Sequence, residues 1–514
     1  MTPRTLRTTT GQGAALARWI GVGVLVAGAW WLVTVMASRG FGLGVALVTL
    51  AAMAAVLVYG TTRPVPLKYL LPALLVIVGL HVWPIMFTAG ISFTNYAPGR
   101  ALSQASAAGE IVTNSIRPVA GGVRYEMSLA VGAGQPPSDG ALVMLLVDPA
   151  GRALVAGDGR LTELTDGVER APSGRIAAAA GYDVLTVSER EARRADVERL
   201  ARMTGEGSGV RAVSLYEAVG GAPTKRYDDD AELIVDRLDG RTYRPVDGRF
   251  VAADGSGEVL PPEWLEGVGV NNFTRVIAEE PLRSAFLAAL VWNLWFAVLA
   301  AGGALVFGAL AALLLDDPRL AGRRSYRAAL LSPYALPVFV SALAWRGLVG
   351  AGLLAETGGA RLAVLLAAWW LGIPVMVVVC TQALKAIPTE VNDAARLDGA
   401  TGVTALIRVR LPLLFPPVAP LLIGMFAVYF NHFSLVYLIT GGGPFGRAGG
   451  ILPGGVEVGA TDLLITIAYR IAFDASSPSY GFAAAVSTFA LALTALMVAA
   501  VFRGIRRLEE ETAR

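Results

Sequence analysis

Between two apolar runs lies a polar stretch, Lys385 to Pro412, whose residue types and spacing suit recognition by a second protein. Pro388 ends one helix and Thr389 is placed to cap the next. Glu390 and Asp393 put negative charge in the first turns, where the helix dipole favours it. Ala394 and Ala395 are small enough for another backbone to approach closely, Arg396 and Asp398 flank them with charge, and Gly399 breaks the helix before Ala400. A second amphipathic piece carries Val403, Leu406, Ile407 and Arg408, and Leu411-Pro412 opens the next apolar run. The spacing predicts a compact helix-turn-helix; the plainer alternative is a structured loop. Elsewhere the chemical inventory is thin. One cysteine, Cys380, allows no internal disulfide, and two histidines, His81 and His432, cannot build a His/Cys zinc site. None of the three lysines, Lys68, Lys225 and Lys385, sits in a glycine-rich phosphate loop, so the chain is expected to bind no nucleotide, cofactor, metal or nucleic acid.

The elements that must hold these residues are membrane helices. Of 514 residues, 54% are apolar and only 16% charged, well below the roughly 25% charged of soluble domains. Crossing hydrocarbon takes about 20 apolar residues as helix. Eight such runs occur, near 16–37, 41–59, 69–91, 284–315, 326–349, 362–384, 413–440 and 481–502. The first carries an A-x-A-like site at Ala27-Gly28-Ala29 but continues through Trp30, Trp31 and Met36, so it reads as an uncleaved anchor. With a cytoplasmic N-terminus, seventeen Lys/Arg fall on the inner side against five in short outer loops, which predicts both termini inside. The spans hold no charge at their centres, which argues against a proton- or sodium-coupled carrier.

Residues 92–280 differ in kind: 20 Lys/Arg against 28 Asp/Glu, where the other 325 residues hold 23 and 12. An acidic soluble domain is thus enclosed by a basic membrane protein, outside the membrane and after the third span. Val123–Met127 and Leu142–Val147 alternate like paired strands, Ser188–Met203 reads as a helix capped by Ser188 with Glu189/Arg193 and Glu198/Arg202 pairs, and the rest as short strands. Asp228–Asp230 lacks calcium-loop spacing and reads as a solvated turn. The expectation is an all-α polytopic membrane protein with eight spans and an inserted α+β, β-rich domain: residues 1–91 as an N-terminal membrane region, 92–280 as the outer domain, and 281–514 as a five-span core containing the 385–412 loop.

Asp393-Ala394-Ala395, Gly399 four residues on, and Val409 with Leu411-Pro412 beyond it resemble the EAA motif of ABC importer permeases, with Asp for Glu and Val for Ile. From about Tyr69 to the C-terminus the chain resembles the MalF-type permeases of maltose and maltodextrin importers. Matching stretches are Ser92–Tyr96, Val270–Val276, Leu331–Pro337, Leu384–Pro388, Gly441–Pro444 and Thr461–Phe473. The resemblance implies the type I importer fold, location in the inner (cytoplasmic) membrane in contact with lipid, and no enzyme activity of its own. It implies as partners a second permease (MalG-like), an ATPase dimer (MalK-like) docking on Asp393, Ala394, Ala395, Arg396, Asp398, Gly399, Ala400, Leu411 and Pro412, and an outer sugar-binding protein (MalE-like). The family's sugar site maps to Leu371, Gly372, Phe430, Asn431 and Phe433. Tyr429 and His432 stand where the family has Asn, and Ala368 and Val375 also depart from its pattern. Maltose is therefore the leading substrate, with maltodextrin, trehalose or another α-glucoside open. Trp369-Trp370, Gly302-Gly303, Gly308 and Cys380 read as packing, and Thr461–Phe473 as an amphipathic segment at the outer membrane surface. A secondary transporter and a membrane-anchored receptor are the competing readings; neither needs a cytoplasmic docking loop.

Overall fold

The computed structural model describes residues 9–38, 42–60, 65–100, 102–157, 159–205, 207–280, 282–317, 319–400, 402–446 and 450–512. Arg4, Arg7, Arg39, Arg63, Arg447 and Arg514, used above in the charge reading, lie outside them. The chain forms two units, residues 1–90 and 91–514. The first contains the helices Thr9–Ser38, Gly42–Gly60 and Val65–Ile77, the last continuing through a π-helical turn toward Ile91.

Among the described residues, six helices are long and apolar enough to cross a membrane: Leu16–Ser38, Pro66–Ile91, Leu282–Asp316, Thr357–Lys385, Val403–Phe430 and Tyr480–Gly504. Gly44–Gly60 is apolar but shorter, and Arg323–Ala335 with Val338–Leu354 is a pair bent by 101°. The run expected as a straight fifth span is thus a broken one. Pro333 and Pro337 remove backbone donors, and Leu336 between them is extended, so the helix cannot continue. The seventh run is also two pieces. Leu411–Phe430 stops at Asn431, His432 leaves helical geometry, and Phe433–Thr440 resumes. At its N-terminal end Pro412 does not open the span, because helix already runs from Val403 through the π-helical stretch Leu406–Arg410.

Small residues set how closely these helices pack. Ala285, Ala289, Ala297, Ala300, Ala304 and Ala312 line the buried face of Leu282–Asp316, and Ala360, Ala363, Ala367 and Ala368 that of Thr357–Lys385. A side chain at Gly308 would lie 2.4 Å from Met376 Cβ, so glycine there is what admits the neighbouring helix. Leu464–Phe473 buries Leu464, Thr466, Ile467, Ala468, Ile471 and Ala472 in the same core. Its charges are not surface charges as the amphipathic reading expected. Asp462 is fully buried, accepting bonds from Gly459 N, Thr466 Oγ1 and the Arg470 guanidinium, each at 2.8 Å.

The segment between these helices and the first unit is built on antiparallel sheet. Arg124–Gly132 pairs with Val143–Val147 in the register Glu126↔Val147 to Ala130↔Val143, as the alternation predicted. Its Met127, Leu129 and Val131 face one core while Ala130 faces another, so the sheet is covered on both sides. Nine strands join in this sheet; a second, of five, runs as a meander from Lys225–Asp228 to Val259–Leu260. The helix Gln104–Asn114, capped by Ser103, packs Ala107, Ala108 and Ile111 against Ile234, Tyr243 and Phe250 of the meander and Trp264 beyond it. The expected helix 188–203 is corrected. Two short helices form instead: Val187–Ala192, capped by Thr186 in a capping box with Glu189, and Arg194–Glu198, which has no side-chain cap; Ala201–Gly205 is a strand paired with Ser208–Ala212. Pairing in the sheet outweighs helix propensity there: Arg193 bonds Asp196 instead of the expected Glu189, and Arg202 donates to Ala201 O and Leu142 O instead of pairing with Glu198.

Candidate functional site

The motif at 385–412 forms around one turn. Thr389–Leu397 is helical, with Pro388 rather than Thr389 in the cap position, and the helix ends at Asp398. Gly399 then takes φ +80°, the left-handed region that costs glycine least. Ala400 N donates to Ala395 O at 2.9 Å and Gly399 N to Arg396 O at 3.1 Å. Together they make a Schellman motif in which Ala395 and Ala400 hold the C3 and C″ positions. The second alanine and the glycine of the motif are therefore parts of one helix stop. Asp393, Ala394, Arg396 and Asp398 are exposed on it. Asp393 and Arg396 pair at 3.5 Å with both side chains mostly in solvent, so the pair adds little to stability and leaves the carboxylate accessible. Leu397 is 90% exposed, with Val403 and Ile407 exposed beyond the turn. Pro412 also lies at the surface, and Leu411 is partly exposed.

The membrane candidates surround the break after Phe430. Tyr429 is buried and its hydroxyl donates to Ala368 O at 2.8 Å. Gly372 is what makes room for that hydroxyl, since a Cβ there would lie 2.4 Å from Tyr429 Oη. His432 stacks on Tyr429 with centroids 5.8 Å apart. Asn431 donates from Nδ2 to Ala427 O and Thr494 Oγ1, both at 3.2 Å, pinning the break to the last long helix. Phe430 is wholly buried, and Leu371 packs at the margin of the same core. Phe433 faces elsewhere, touching Tyr437 at 4.9 Å and Tyr469 at 4.8 Å. Gly372, Tyr429 and His432 thus form one group, and Phe433 joins a second, aromatic one. Trp369 donates to Leu299 O at 2.9 Å and lies against Phe307, a packing role.

The maltose/maltodextrin transport system permease protein MalF of Photorhabdus laumondii is 30% identical over 510 residues, which span 94% of this chain and 95% of the relative. The chain belongs to the MalF family of permease proteins. Within this family, the MalF protein of Salmonella typhi is 28% identical over 92% of this chain and 93% of its own. Residues 304–509 match the model of the binding-protein-dependent transport system inner membrane component, and residues 74–160 that of the N-terminal part of the transmembrane subunit in binding-protein-dependent ABC transporters. A bacterial ABC transporter that imports alginate aligns with a TM-score of 0.36 and 19% identity, over 46% of this chain and 84% of that one. As a member of the MalF family the chain is an inner-membrane, multi-pass ABC permease subunit and not itself an enzyme.

Two family-like stretches, 178 to 180 residues apart in sequence, meet in this MalF-family fold. Asn272 Nδ2 donates to Ser92 O at 2.9 Å and to Thr94 O at 2.8 Å. Asn95 donates to Asp247 O and Trp264 O and accepts from Glu266 N. One residue near the candidate sites, Asn293, escaped the sequence reading. A lone asparagine in an apolar run is itself a signal, but the reading above sought neutral polar residues only in the sixth and seventh runs.

Proposed function

We propose that this chain is the larger permease subunit of an ATP-driven importer for maltose, maltodextrin or a related α-glucoside. The observation that carries the reading is the exposed helix and Schellman turn around Asp393 and Gly399 on a MalF-family chain, with Leu397, Val403 and Ile407 uncovered beside it. An apolar and small-residue surface beside a charged helix fits the cleft of a partner ATPase. Counting the bent pair and Gly44–Gly60 as spans gives eight, and the lysine and arginine bias then puts both termini and this turn in the cytoplasm, with residues 92–280 outside. Asp393, Ala394, Ala395, Arg396, Asp398, Gly399, Ala400, Leu411 and Pro412 are the coupling residues. ATP-driven closure of two ATPase subunits, MalK-like, pulls on them and swings the spans between inward- and outward-facing states. A MalG-like permease completes the path, and the outer domain receives a MalE-like sugar-binding protein.

The sugar site is the break between Phe430 and Phe433, with Leu371, Gly372, Tyr429, Asn431 and His432. Neutral donors and acceptors beside aromatic rings suit a polyol, which is bound by stacking and hydrogen bonding rather than by charge. Tyr429 and His432 stand at positions where the family has neutral amides, which keeps the sugar choice open between maltose, maltodextrin, trehalose and another α-glucoside. Two experiments test the reading. Detergent pull-down of the complete chain recovers an ATPase subunit, and Gly399→Pro, which removes a backbone donor from the Schellman turn, abolishes recovery and uptake. Uptake of labelled maltose is competed by unlabelled maltose, trehalose or maltodextrin; saturation by amino acids instead sinks the sugar assignment.

A further inference from the structure

We infer that Asn293 is a positioning residue for the sugar site, a single buried amide that ties the broken end of Leu411–Phe430 to the start of Leu464–Phe473. The inference rests on the reading of 429–433 as the sugar-binding segment. Asn293 lies in the apolar helix Leu282–Asp316 and has no solvent exposure. Its Nδ2 donates to Phe430 O at 2.8 Å, and its Oδ1 accepts from Leu464 N at 2.9 Å. Both partners are backbone groups at helix ends, a last-turn carbonyl and a first-turn amide, which have no partner within their own helices. One side chain of a third helix satisfies both. In an apolar setting these bonds have no water to replace them, so their loss frees two chain ends together.

The two ends carry the groups of interest. Phe430 immediately precedes Asn431 and His432, whose backbone leaves the helix. Leu464 begins the helix that bears Tyr469, which touches Phe433 at 4.8 Å and Tyr437 at 5.0 Å. Asn293 therefore sets, from behind, the spacing between the group containing Tyr429 and His432 and the aromatic group containing Phe433. It touches no sugar itself.

The test uses the full chain co-expressed with its partner subunits, in Asn293→Leu, Asn293→Asp and Asn293→Gln forms, with rates normalised to assembled complex. Leucine keeps the branched shape and removes both bonds; aspartate keeps the acceptor toward Leu464 N and loses the donor. For Asn293→Leu the transport KM is expected to rise about tenfold and the maltose-to-trehalose preference to change, while Vmax stays within about twofold. Asn293→Asp should fall between leucine and wild type. Deuterium exchange in the purified chain should speed up about tenfold in both 429–437 and 463–469. Unchanged KM and sugar preference overturn the positioning role, as does exchange that rises in only one segment. A chain that assembles with none of the three replacements overturns it too, since the amide is then a requirement for folding. If the wild-type chain takes up no α-glucoside, the sugar reading fails while the exchange experiment still decides the clip.

Discussion

Gly372 and Tyr429 show how much one missing side chain can hold. The Tyr429 hydroxyl occupies the volume that a Cβ on residue 372 would need, and Ala304 Cβ would lie 2.9 Å from it on another side. Gly372→Ala should therefore destabilise the purified protein by about 1–3 kcal/mol through overpacking. Tyr429→Phe removes the bond to Ala368 O and should cost about 1 kcal/mol. The double variant should lose less than the sum, since phenylalanine vacates the contested space; additive losses in thermal melts would show that the two positions do not meet. At this scale the sequence was legible by pattern more than by cause. Gly372 stood out through family resemblance, whereas its reason, a tyrosine hydroxyl from a helix more than fifty residues away, is a tertiary fact. Asn293 was missed because neutral polar residues were sought only in the sixth and seventh apolar runs, and it lies in the fourth.

At the scale of elements, local rules worked where local bonds decide the outcome. Gly399 was read as a helix stop and is one, with both bonds of the motif formed within six residues. Gly399→Ala keeps the amide but forces a side chain into the left-handed region, so the turn should lose about 1 kcal/mol. Hydrogen exchange at 395–402 checks this, and an unchanged rate would mean the turn does not depend on glycine. Local reasoning failed at 188–203, where strand pairing of Ala201–Gly205 claims residues that read as helix. It failed again at the fifth and seventh runs, since hydropathy counts apolar residues and is blind to a bend of 101° or a break at Asn431. Asp148 offers a pH test in the nine-stranded sheet region. Its carboxylate accepts from Arg152 N at 2.7 Å and from Arg152 Nε at 2.8 Å, and chiefly the backbone bond holds it below the usual carboxylate range. The folded-state value is depressed, so the stabilisation is present at neutral pH and is lost as pH falls through the acid range below about 4. The melting difference between wild type and Asp148→Asn should shrink from pH 7 to pH 3; a constant difference would assign the effect to packing.

For the whole molecule, composition alone separated an acidic sheet-bearing insert from a basic, apolar remainder, because burial in lipid and burial in a soluble core demand different residues. What composition could not convey is how the two are joined. The chain leaves the third span at Ser92 and comes back at Asn272, and the Asn272 amide holds both Ser92 O and Thr94 O. Beside this neck Gly481 N donates to Tyr96 O, and a Cβ at Gly481 would collide with Thr94 O at 2.0 Å. The ends of a 180-residue excursion are therefore already closed on one another, as separable insertions require. Such closed ends predict that the segment between them is a detachable module. Removing 97–263 and bridging the gap with a few glycines should leave a chain that inserts, folds and recruits its ATPase, while losing whatever the module receives from outside. Failure of that shortened chain to enter the membrane would show the module to be a folding requirement instead. If it does enter, the neck is a socket in which a different insert could be fitted.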